Sequence, residues 1–343
     1  MRMVLDAMGS DSAPGPEVEG AVEASQADDT EIILVGDKQR VEAELAKYPA
    51  CPNISVIHAS QAITMDENPA LAVRKKKDSS LLVALRLVKE GEADAFLSAG
   101  NTGAVMLGAR VVLGPIPGVS RSAICQVLPT ANDPVVVLDL GANVNCTAQH
   151  LCEFAEMGHV FSQRALGVKE PRVGLLNIGE EQVKGTEVAK EVHRTLTDTP
   201  NINFIGNVEP KALFGGKADV VVCDGFVGNV ILKTSEAVAK LLKTLTEREL
   251  KATPISKLGG LLSLGAFKRL KQTTDPNEQR GAPLLGVKGI VIIVHGSCTA
   301  KGIANAIIGA QEEFKLSVNE HIQKGIEELR ASVSTHKSSE GAS

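Results

Sequence analysis

The stretch "PVVVLDLGAN", residues 134–143, carries the pattern on which the fold prediction depends. Its apolar residues run continuously instead of alternating with polar ones, which is typical of a strand buried on both faces of a parallel sheet. An aspartate, a glycine and an asparagine then follow within five positions. Residues of these types are typical of a tight turn at the end of a strand.

Similar apolar runs recur along the chain and are separated by stretches with helical periodicity. One such stretch is "DSSLLVALRLVKEG", in which Asp78 is predicted to cap the helix and Gly91 to end it. This alternation predicts an α/β fold, in which a mostly parallel, Rossmann-like sheet lies in a three-layer α/β/α arrangement. The other predicted strands are "MVLDAMG" (3–9), "EIILVGD" (31–37), "ADAFLSAGNTG" (93–103), "RVGLLNIGEE" (172–181), "NFIGN" (203–207), "ADVVVCDGFVGN" (218–229) and "GIVIIVHGS" (289–297).

The predicted domain organisation is one α/β catalytic domain over residues 1–331. Residues 235–272 contain no strand-like run, so we predict a helical extension at about 235–280. The final segment, 332–343, is small and polar, and we expect a flexible tail there.

Composition excludes several classes of protein. The net charge of −5 argues against a nucleic-acid partner, because such proteins need a basic surface. The six cysteines are scattered without a CxxC pair, which is typical of reduced thiols and predicts a cytoplasmic location. The histidines form no metal-binding pattern, so a metal site is not expected.

Polar and glycine-rich turns follow five of the predicted strands, beginning at Asp6, Ser98, Asp139, Asn177 and Asp224. The carboxyl ends of parallel strands lie at one edge of a sheet, where glycine backbones and helix N-termini suit an anion. We therefore predict a phosphate-sized anion site. Its candidate residues are Asn101, Thr102, Gly103, Asn143 and the backbone near Gly179.

Common nucleotide and hydrolase motifs are missing. The chain has no GxxxxGK[ST] stretch, and the turn after its first strand reads "GSDSAPG" instead of GxGxxG. The turn "LSAGN" does not match the GxSxG elbow of a serine esterase. Kinases, simple dehydrogenases and serine esterases are accordingly disfavoured.

The turn "LLNIGEEQVKGTE", residues 175–187, combines two acids with a lysine. Lys184 follows Glu180 and Glu181 by four and three positions, so it could form a surface ion pair worth under about 1 kcal/mol. Because the turn follows a strand end, the lysine could instead direct its charge at phosphate or at a carbonyl oxygen. The residues alone leave both interpretations open.

The chain resembles the bacterial phosphate acyltransferases, the acyl-ACP:phosphate acyltransferases of fatty acid and phospholipid synthesis. The resemblance runs in order from residue 4 to about 310. Its motifs are "LDAMGSDSAPGPEVEGA", "RKKKDSSLLVAL", "LSAGNTGA", "LDLGAN", "RVGLLNIGEEQVKG", "NFIGNVE", "DVVVCDGFVGNVILK" and "GAPLLGVKGIVIIVHGS". The family usually reads Gly-Gly-Asp-His where this chain has Gly9-Ser10-Asp11-Ser12, and Tyr-Gly-Gly-Ala where it has Gln279-Arg280-Gly281-Ala282.

The resemblance implies transfer of a fatty acyl group from acyl carrier protein to inorganic phosphate. The acyl phosphate would then pass to a membrane glycerol-3-phosphate acyltransferase. It further implies a homodimer with a fold similar to those of phosphotransacetylases and isopropylmalate dehydrogenases, without a cofactor. Alternatives that remain are a phosphotransacetylase using acyl-CoA and a non-catalytic, membrane-associated scaffold.

The resemblance points to Lys184 and Asn229 as catalytic residues. Asn229 is expected to orient the thioester carbonyl, and the alternative is that it caps the helix that follows it. His295, at a strand end, is a candidate phosphate ligand or a structural histidine. Asp6 and Ser98 complete the predicted substrate site, where an orienting or turn-forming role is expected of both.

Cys223 lies within the apolar run "VVVCDG". A buried strand cysteine is usually an inert packing residue, so we do not expect a nucleophile there.

Two segments concern partners. The run "RKKK" (74–77) is either a solvated surface or a landing patch for the acidic carrier protein. The segment 255–271 places Leu258, Leu262 and Phe267 among basic residues. It is predicted to contact a membrane surface or a second subunit, and Gly259-Gly260 are expected to interrupt a helix there.

Overall fold

The strands of the computed structural model form two sheets. The model describes residues 1–27 and 29–340, without the side chains at 271, 274, 276 and 333–340. The strands are β1 (Arg2–Asp6), β2 (Glu31–Gly36), β3 (Ile54–His58), β4 (Ala95–Ser98), β5 (Ala123–Ile124), β6 (Gln126–Leu128), β7 (Val135–Leu138), β8 (Arg172–Leu176), β9 (Asn203–Val208), β10 (Val220–Val222), β11 (Ala282–Leu285) and β12 (Ile290–Ile293).

The seven-stranded sheet has the order β3-β2-β1-β4-β12-β11-β5, and the five-stranded sheet has the order β6-β7-β10-β8-β9. Pairing is parallel except where β11 pairs with β12 and β5, and where β6 pairs with β7. Every predicted run forms a strand, and the α/β prediction is confirmed. The division into two sheets was not predicted, because the chain crosses between them through the very short β5 and β6.

Helices cover the faces of both sheets. They are α1 (Gly15–Ala27), α2 (Lys38–Leu45), α3 (Pro69–Lys75), α4 (Ser80–Lys89), α5 (Thr102–Val112), α6 (Ala148–Ala165), α7 (Glu187–Thr197), α8 (Pro210–Gly215), α9 (Gly225–Ala252), α10 (Pro254–Leu262), α11 (Leu264–Thr274), a 3-10 helix (Pro276–Glu278), α12 (Ala300–Lys315) and α13 (Val318–Glu340).

The apolar core joins the two sheets. One cluster of buried residues includes Val4 and Phe96 of the seven-stranded sheet together with Val137 and Val221 of the five-stranded sheet. A second cluster packs α6, α7 and α13 on the five-stranded sheet, and a third packs α1 and α12 on the seven-stranded sheet. Because the first cluster is continuous, burial of apolar surface stabilises the two sheets together.

The start of α4 differs from the prediction. Ser79, not Asp78, is the N-cap residue, and the Asp78 carboxylate instead accepts hydrogen bonds from the Ser60 N–H and hydroxyl groups. The prediction of Asp78 as the cap was therefore wrong, because a tertiary contact with the neighbouring loop engages its side chain. Gly91 follows the end of α4 with a φ of +75°, as predicted.

The helical extension begins earlier than predicted, because α9 starts at Gly225, at the end of β10. The glycines 259–260 lie within α10, contrary to the expected interruption, and the chain breaks at Ser263 instead. At the C-terminus, α13 continues to Glu340 through most of the segment expected to be a tail, since neither glycine nor proline interrupts residues 332–340. Residues 341–343 lie outside the described residues.

Within residues 1–27 and 29–340, no helix has the length and apolarity required to cross a membrane.

Candidate functional site

The turn after β7, residues 139–143, is organised around the buried carboxylate of Asp139. One carboxylate oxygen accepts hydrogen bonds from the N–H groups of Ile124 (3.0 Å) and Ala142 (3.0 Å). The other accepts from the Asn143 N–H (2.7 Å) and side-chain amide (2.9 Å). Burial raises the pKa of Asp139 above its ordinary value, and these hydrogen bonds oppose that shift. Because Ile124 belongs to β5, Asp139 ties this turn to the seven-stranded sheet.

Asn143, a predicted anion-site residue, has internal partners for its side-chain amide. Besides Asp139, the amide donates to the Ser122 carbonyl oxygen (2.7 Å). Its backbone carbonyl accepts from the Gly225 N–H (2.8 Å), at the first residue of α9. Asn143 therefore joins the turn to the start of α9, and any contact with an anion would come from the surrounding backbone.

The N-terminus of α9 packs closely on this turn. Asp224 is the N-cap residue, and its carboxylate accepts from the Val227 N–H (2.9 Å). At Gly228, a Cβ atom would overlap the Asp139 carbonyl oxygen, so the close approach requires glycine. Asn229 lies in the second turn, exposed, beside Gly141. The alternative that Asn229 caps the helix is wrong, because Asp224 occupies that position.

The turn after β8 is held by two asparagines. The Asn177 side chain accepts from the Ile178 N–H (2.8 Å) and donates to the Lys184 carbonyl oxygen (3.1 Å). Asn207 donates from its buried side chain to the Glu181 carbonyl oxygen (2.8 Å). The backbone that carries Lys184 is thereby fixed from both sides.

The side chain of Lys184 is exposed and makes no ion pair with any residue in the described part of the chain. Glu180, one of its expected partners, pairs instead with Lys217 at 2.9 Å, and this pairing lowers the pKa of Glu180. At Gly179, a Cβ atom would lie 2.7 Å from a Glu181 carboxylate oxygen and 3.2 Å from the Lys184 Cγ atom, so glycine leaves room for both side chains. The surface ion pair considered from the sequence is not observed.

Lys184 and Asn229 leave the same edge of the five-stranded sheet. The strands that precede them, β8 and β10, are parallel and hydrogen-bonded neighbours, with Val222 opposite Leu175. Their turns therefore emerge side by side at the carboxyl ends of the strands. An exposed ammonium group and an exposed amide at this edge can donate hydrogen bonds to an anion or to a carbonyl oxygen.

The corresponding edge of the seven-stranded sheet buries its polar side chains. Ser98 donates its hydroxyl to the Asp6 carboxylate (2.9 Å) and accepts from the Gly100 N–H (3.0 Å). Asp6 is 3% exposed and Ser98 is 0% exposed, and burial raises the pKa of Asp6. Both side chains lie beneath the turns and join them, and their contact with substrate stays a prediction.

Asn101 caps α5. Its side-chain oxygen accepts from the Ala104 N–H (3.1 Å), and its amide donates to the carbonyl oxygens of Met65 (2.9 Å) and Glu67 (3.1 Å). The adjoining Thr102 and Gly103 occupy the first helical turn, where backbone N–H groups have no partner within the helix. Their backbone stays a candidate for anion binding, whereas the Asn101 amide is already hydrogen-bonded within the protein.

His295 is exposed after β12, and its Nδ1 atom lies 2.8 Å from the Ser297 hydroxyl. Nearby, the Asp11 N–H donates to the Gly296 carbonyl oxygen (2.9 Å), which joins the turns after β1 and β12. No contact in the described residues connects His295 with Lys184 or Asn229.

Cys223 is buried, and its thiol donates to the Asp139 carbonyl oxygen (3.6 Å). Burial raises the pKa of this thiol far above its ordinary value, with further contributions from Asp224 and Asp139. A thiolate nucleophile is thus disfavoured at this position.

The sequence interpretation missed several residues of this edge. Asp139 and Asn177 were noted only as the first residues of polar turns, and Asn207 and Arg121 were not singled out. The charge of Arg121 reaches His150 at the start of α6, where burial and then Arg121 lower the pKa of the histidine. Only the polar residue that directly follows each strand carried a sequence signal for these roles.

Comparison with known proteins gives consistent results. The model of a family described as "Fatty acid synthesis protein" matches residues 1–321. The phosphate acyltransferase of Heliobacterium modesticaldum is 46% identical over 333 residues, which cover 95% of this chain and 99% of that protein. The phosphate acyltransferase of Moorella thermoacetica is 48% identical over 307 residues, which cover 90% of each.

Solved structures show the same fold at low sequence identity. A phosphotransacetylase from Streptococcus pyogenes superimposes with a TM-score of 0.58 at 17% identity, covering 95% of this chain and 94% of that chain. The EutD phosphotransacetylase from Staphylococcus aureus gives a TM-score of 0.56 at 17% identity, covering 91% and 94%. The predicted likeness to phosphotransacetylase folds is confirmed.

Proposed function

The chain belongs to the fatty acid synthesis protein family of phosphate acyltransferases, and on this premise we propose that it transfers a long-chain acyl group from acyl carrier protein to inorganic phosphate. The chain is an enzyme of the phosphate acyltransferase class. The proposal adds the carrier protein as donor and acyl phosphate as a precursor for phospholipid synthesis.

The reaction requires little acid or base catalysis. A phosphate oxygen attacks the thioester carbonyl, the C–S bond breaks, and the thiolate leaves and takes a proton from solvent. Phosphate is already an anion at neutral pH and a thiolate is a good leaving group. The enzyme therefore contributes mainly by holding the two reactants in line, which can supply about 7–11 kcal/mol.

The observation that carries the proposal is the exposed Lys184 ammonium group at the edge of the five-stranded sheet, which forms no ion pair within the described residues, while Glu180 is held by Lys217. In the proposed mechanism, Lys184 stabilises charge on phosphate or on the developing oxyanion. Asn229, the neighbouring exposed amide, orients the thioester carbonyl. Backbone N–H groups near Gly179 and in the first turn of α5 complete the phosphate cradle.

An assay of the purified protein with palmitoyl carrier protein tests the proposal. We expect release of the carrier thiol and formation of palmitoyl phosphate only when phosphate is added. Thioester consumption that is independent of phosphate would contradict the reaction. Palmitoyl-CoA as the donor provides the comparison with a phosphotransacetylase, and faster turnover of the CoA thioester would overturn the choice of donor.

We also propose that α9, α10 and α11 bring the enzyme to its membrane-bound consumer, a glycerol-3-phosphate acyltransferase. Leu258 is 59% exposed and Leu262 is 79% exposed, whereas Phe267 is half-buried. Exposed leucines beside lysines favour a reversible contact of a cytoplasmic enzyme with the membrane surface. A homodimer in which a second subunit covers this segment is the alternative occupant.

The double variant Leu258→Ser/Leu262→Ser separates these possibilities. Loss of flotation with vesicles, at an unchanged oligomeric state, would support the membrane contact. Conversion of a dimer to a monomer would assign the two leucines to the subunit interface instead. Unchanged flotation and an unchanged oligomeric state would remove both roles.

A further inference from the structure

A groove of about 370 Å³ lies among α3, α4 and α5, and neither Lys184 nor Asn229 lines it. Its floor is apolar and is formed by Val73, Leu82, Val111 and Val112. Val111 is 61% exposed in the last turn of α5, where it contributes little to the core. An apolar floor that is left open to solvent in this way is typical of a surface that binds another molecule.

The rim of the groove is basic. Lys77 follows α3, and Arg86 and Lys89 lie on α4, with one acid, Glu90, beside them. The Lys77 ammonium group donates to the Val73 carbonyl oxygen (3.1 Å), and Arg86 donates to the Lys77 carbonyl oxygen (2.9 Å). These backbone contacts hold the two cations at the rim and leave their other donor hydrogens available.

The structure also separates the members of the basic run 74–77. Lys76 is half-buried and pairs with Glu67, while its ammonium group also donates to the Ala62 carbonyl oxygen. Lys77 instead lies at the rim of the groove with Arg86 and Lys89, which follow it by nine and twelve positions. The groove is therefore a tertiary arrangement that the basic run by itself does not indicate.

A residue next to the groove, at the end of α5, lies near the start of α6. Arg110, the neighbour of Val111, is close enough to His150 for its charge to help lower the pKa of that residue, after burial and Arg121. His150 belongs to the first turn of α6, a few residues after Asn143. A carrier protein presents its thioester on a flexible arm, so its docking surface should lie beside the reaction centre and not over it.

We propose that this groove is the docking surface for the acyl carrier protein, an inference that rests on the proposed function. An acidic amphipathic helix would place carboxylates against Lys77, Arg86 and Lys89 and apolar side chains against the valine floor. Complementary charge at such a rim mainly raises the rate of encounter. The expected signature is a change in affinity for the carrier without a change in the chemical step.

The test uses the full-length enzyme with the double variant Lys77→Glu/Lys89→Glu. We expect KM for palmitoyl carrier protein to rise about tenfold with kcat and KM for phosphate unchanged. The Kd for the carrier, measured by titration calorimetry, should rise in parallel and lose most of its salt dependence. Val111→Asp, which alters the floor instead of the rim, should weaken binding similarly.

The matched control is Arg164→Glu/Lys169→Glu, which makes the same change of charge at two exposed positions, one in the last turn of α6 and one in the loop that follows it. An unchanged Kd for the carrier in Lys77→Glu/Lys89→Glu overturns the docking inference, whether or not the wild type shows phosphate-dependent turnover. Carrier affinity lost only in the groove variants supports the inference, even if the wild type proves inactive and the proposed function fails. Loss of binding to phosphatidylglycerol vesicles with normal carrier affinity would identify a lipid-facing surface and overturn it.

Discussion

The carboxyl edges of the two sheets share one sequence pattern and differ in what they expose. In the seven-stranded sheet, Asp6 and Ser98 hydrogen-bond to each other in the interior. In the five-stranded sheet, Lys184 and Asn229 reach solvent, and Glu180, one of the two acids that precede the lysine in its turn, is paired with Lys217. Polar residues after a strand can thus either hydrogen-bond one turn to another or remain available to a substrate. Their hydrogen-bond and ion-pair partners determine which role they have.

The buried carboxylate group beneath each edge also differs in its hydrogen bonding. Glu17 is fully buried below the first edge, where one carboxylate oxygen accepts from the Ser10 N–H (2.9 Å) and the other has no hydrogen-bond partner among the residues that the structure describes. Burial raises the pKa of Glu17 to about 7. Asp139, below the second edge, is hydrogen-bonded through both oxygens. The edge of the seven-stranded sheet therefore contains a buried acid, Glu17, that destabilises the fold when it is charged. The edge of the five-stranded sheet contains a buried acid, Asp139, whose two carboxylate oxygens both accept hydrogen bonds.

The largest effect is expected for Lys184→Ala. If Lys184 stabilises the developing charge, its loss should lower kcat by about 10²–10³-fold, equivalent to about 2.7–4 kcal/mol. The melting temperature should not change, because the side chain is exposed and makes no ion pair in the described part of the chain. Steady-state kinetics and thermal unfolding measure the two quantities.

Lys190→Ala serves as the control for Lys184, since Lys190 forms an exposed ion pair with Glu187 at 2.8 Å. Its removal should leave turnover unchanged. Near-normal turnover of Lys184→Ala would remove the proposed difference between the two edges.

The second prediction concerns Glu17→Gln. The pKa of Glu17 is about 7 in the folded protein and 4.5 ordinarily, so the folded state favours the protonated carboxyl group. This contribution to the stability of the fold is fully present below pH 4.5 and is lost as the pH rises through 7. Above pH 7, the glutamine variant should be more stable than the wild type by about 3 kcal/mol, and the difference should vanish near pH 4.5. Denaturant unfolding across this pH range measures it.

Glu19→Gln, on the exposed face of the same helix, is the control and should leave the free energy of unfolding at pH 8 unchanged. Equal stability of Glu17→Gln and the wild type at pH 8 would mean that the buried carboxylate is already neutralised by a partner.

The third prediction is for Gly228→Ala, where a methyl group would overlap the Asp139 carbonyl oxygen. The required displacement of α9 should cost about 1–3 kcal/mol of stability and lower kcat, because Asn229 moves with the helix. Gly259→Ala provides the matched control, since the space around that helical glycine is open. That variant should retain activity and gain up to about 1 kcal/mol. Normal activity of Gly228→Ala would separate Asn229 from the reaction.

The smallest effect is expected for Asn101→Ser. Serine can still cap α5, but it cannot make both amide donations to the carbonyl oxygens of Met65 and Glu67. The loss should cost about 1 kcal/mol of stability and leave KM for phosphate unchanged. A tenfold rise in KM for phosphate would instead show that the Asn101 amide contacts the anion, and it would make the two edges functionally alike.

Much of the fold was predictable because it follows local rules. Continuous apolar runs identified every strand from which a polar turn emerges, and the stretch 235–272 was correctly assigned to helices. The strands β5, β6 and β11 were missed, since two to four residues carry too little pattern to be recognised, and β3 was missed because Ser55 and His58 break its apolar run. Asp78 was misassigned because a contact with Ser60 outweighed its local capping preference.

The candidate site was only partly predictable, for a different physical reason. Sequence showed which residues follow strand ends, and the family motifs singled out Lys184 and Asn229. It did not reveal that Glu180 would pair with Lys217, since 37 positions separate the two residues.

The amino-acid order alone therefore settled the α/β architecture, the family and the turns in which chemistry was expected, because each of these follows from patterns within a few residues. Long-range packing determined which polar side chains are buried in hydrogen bonds between turns and which remain accessible to solvent. Asp6, for example, is hydrogen-bonded to Ser98 across 92 positions, and Lys77 and Lys89 line the same groove. A side chain's availability depends on its neighbours in space, and those neighbours are set by the folded chain as a whole.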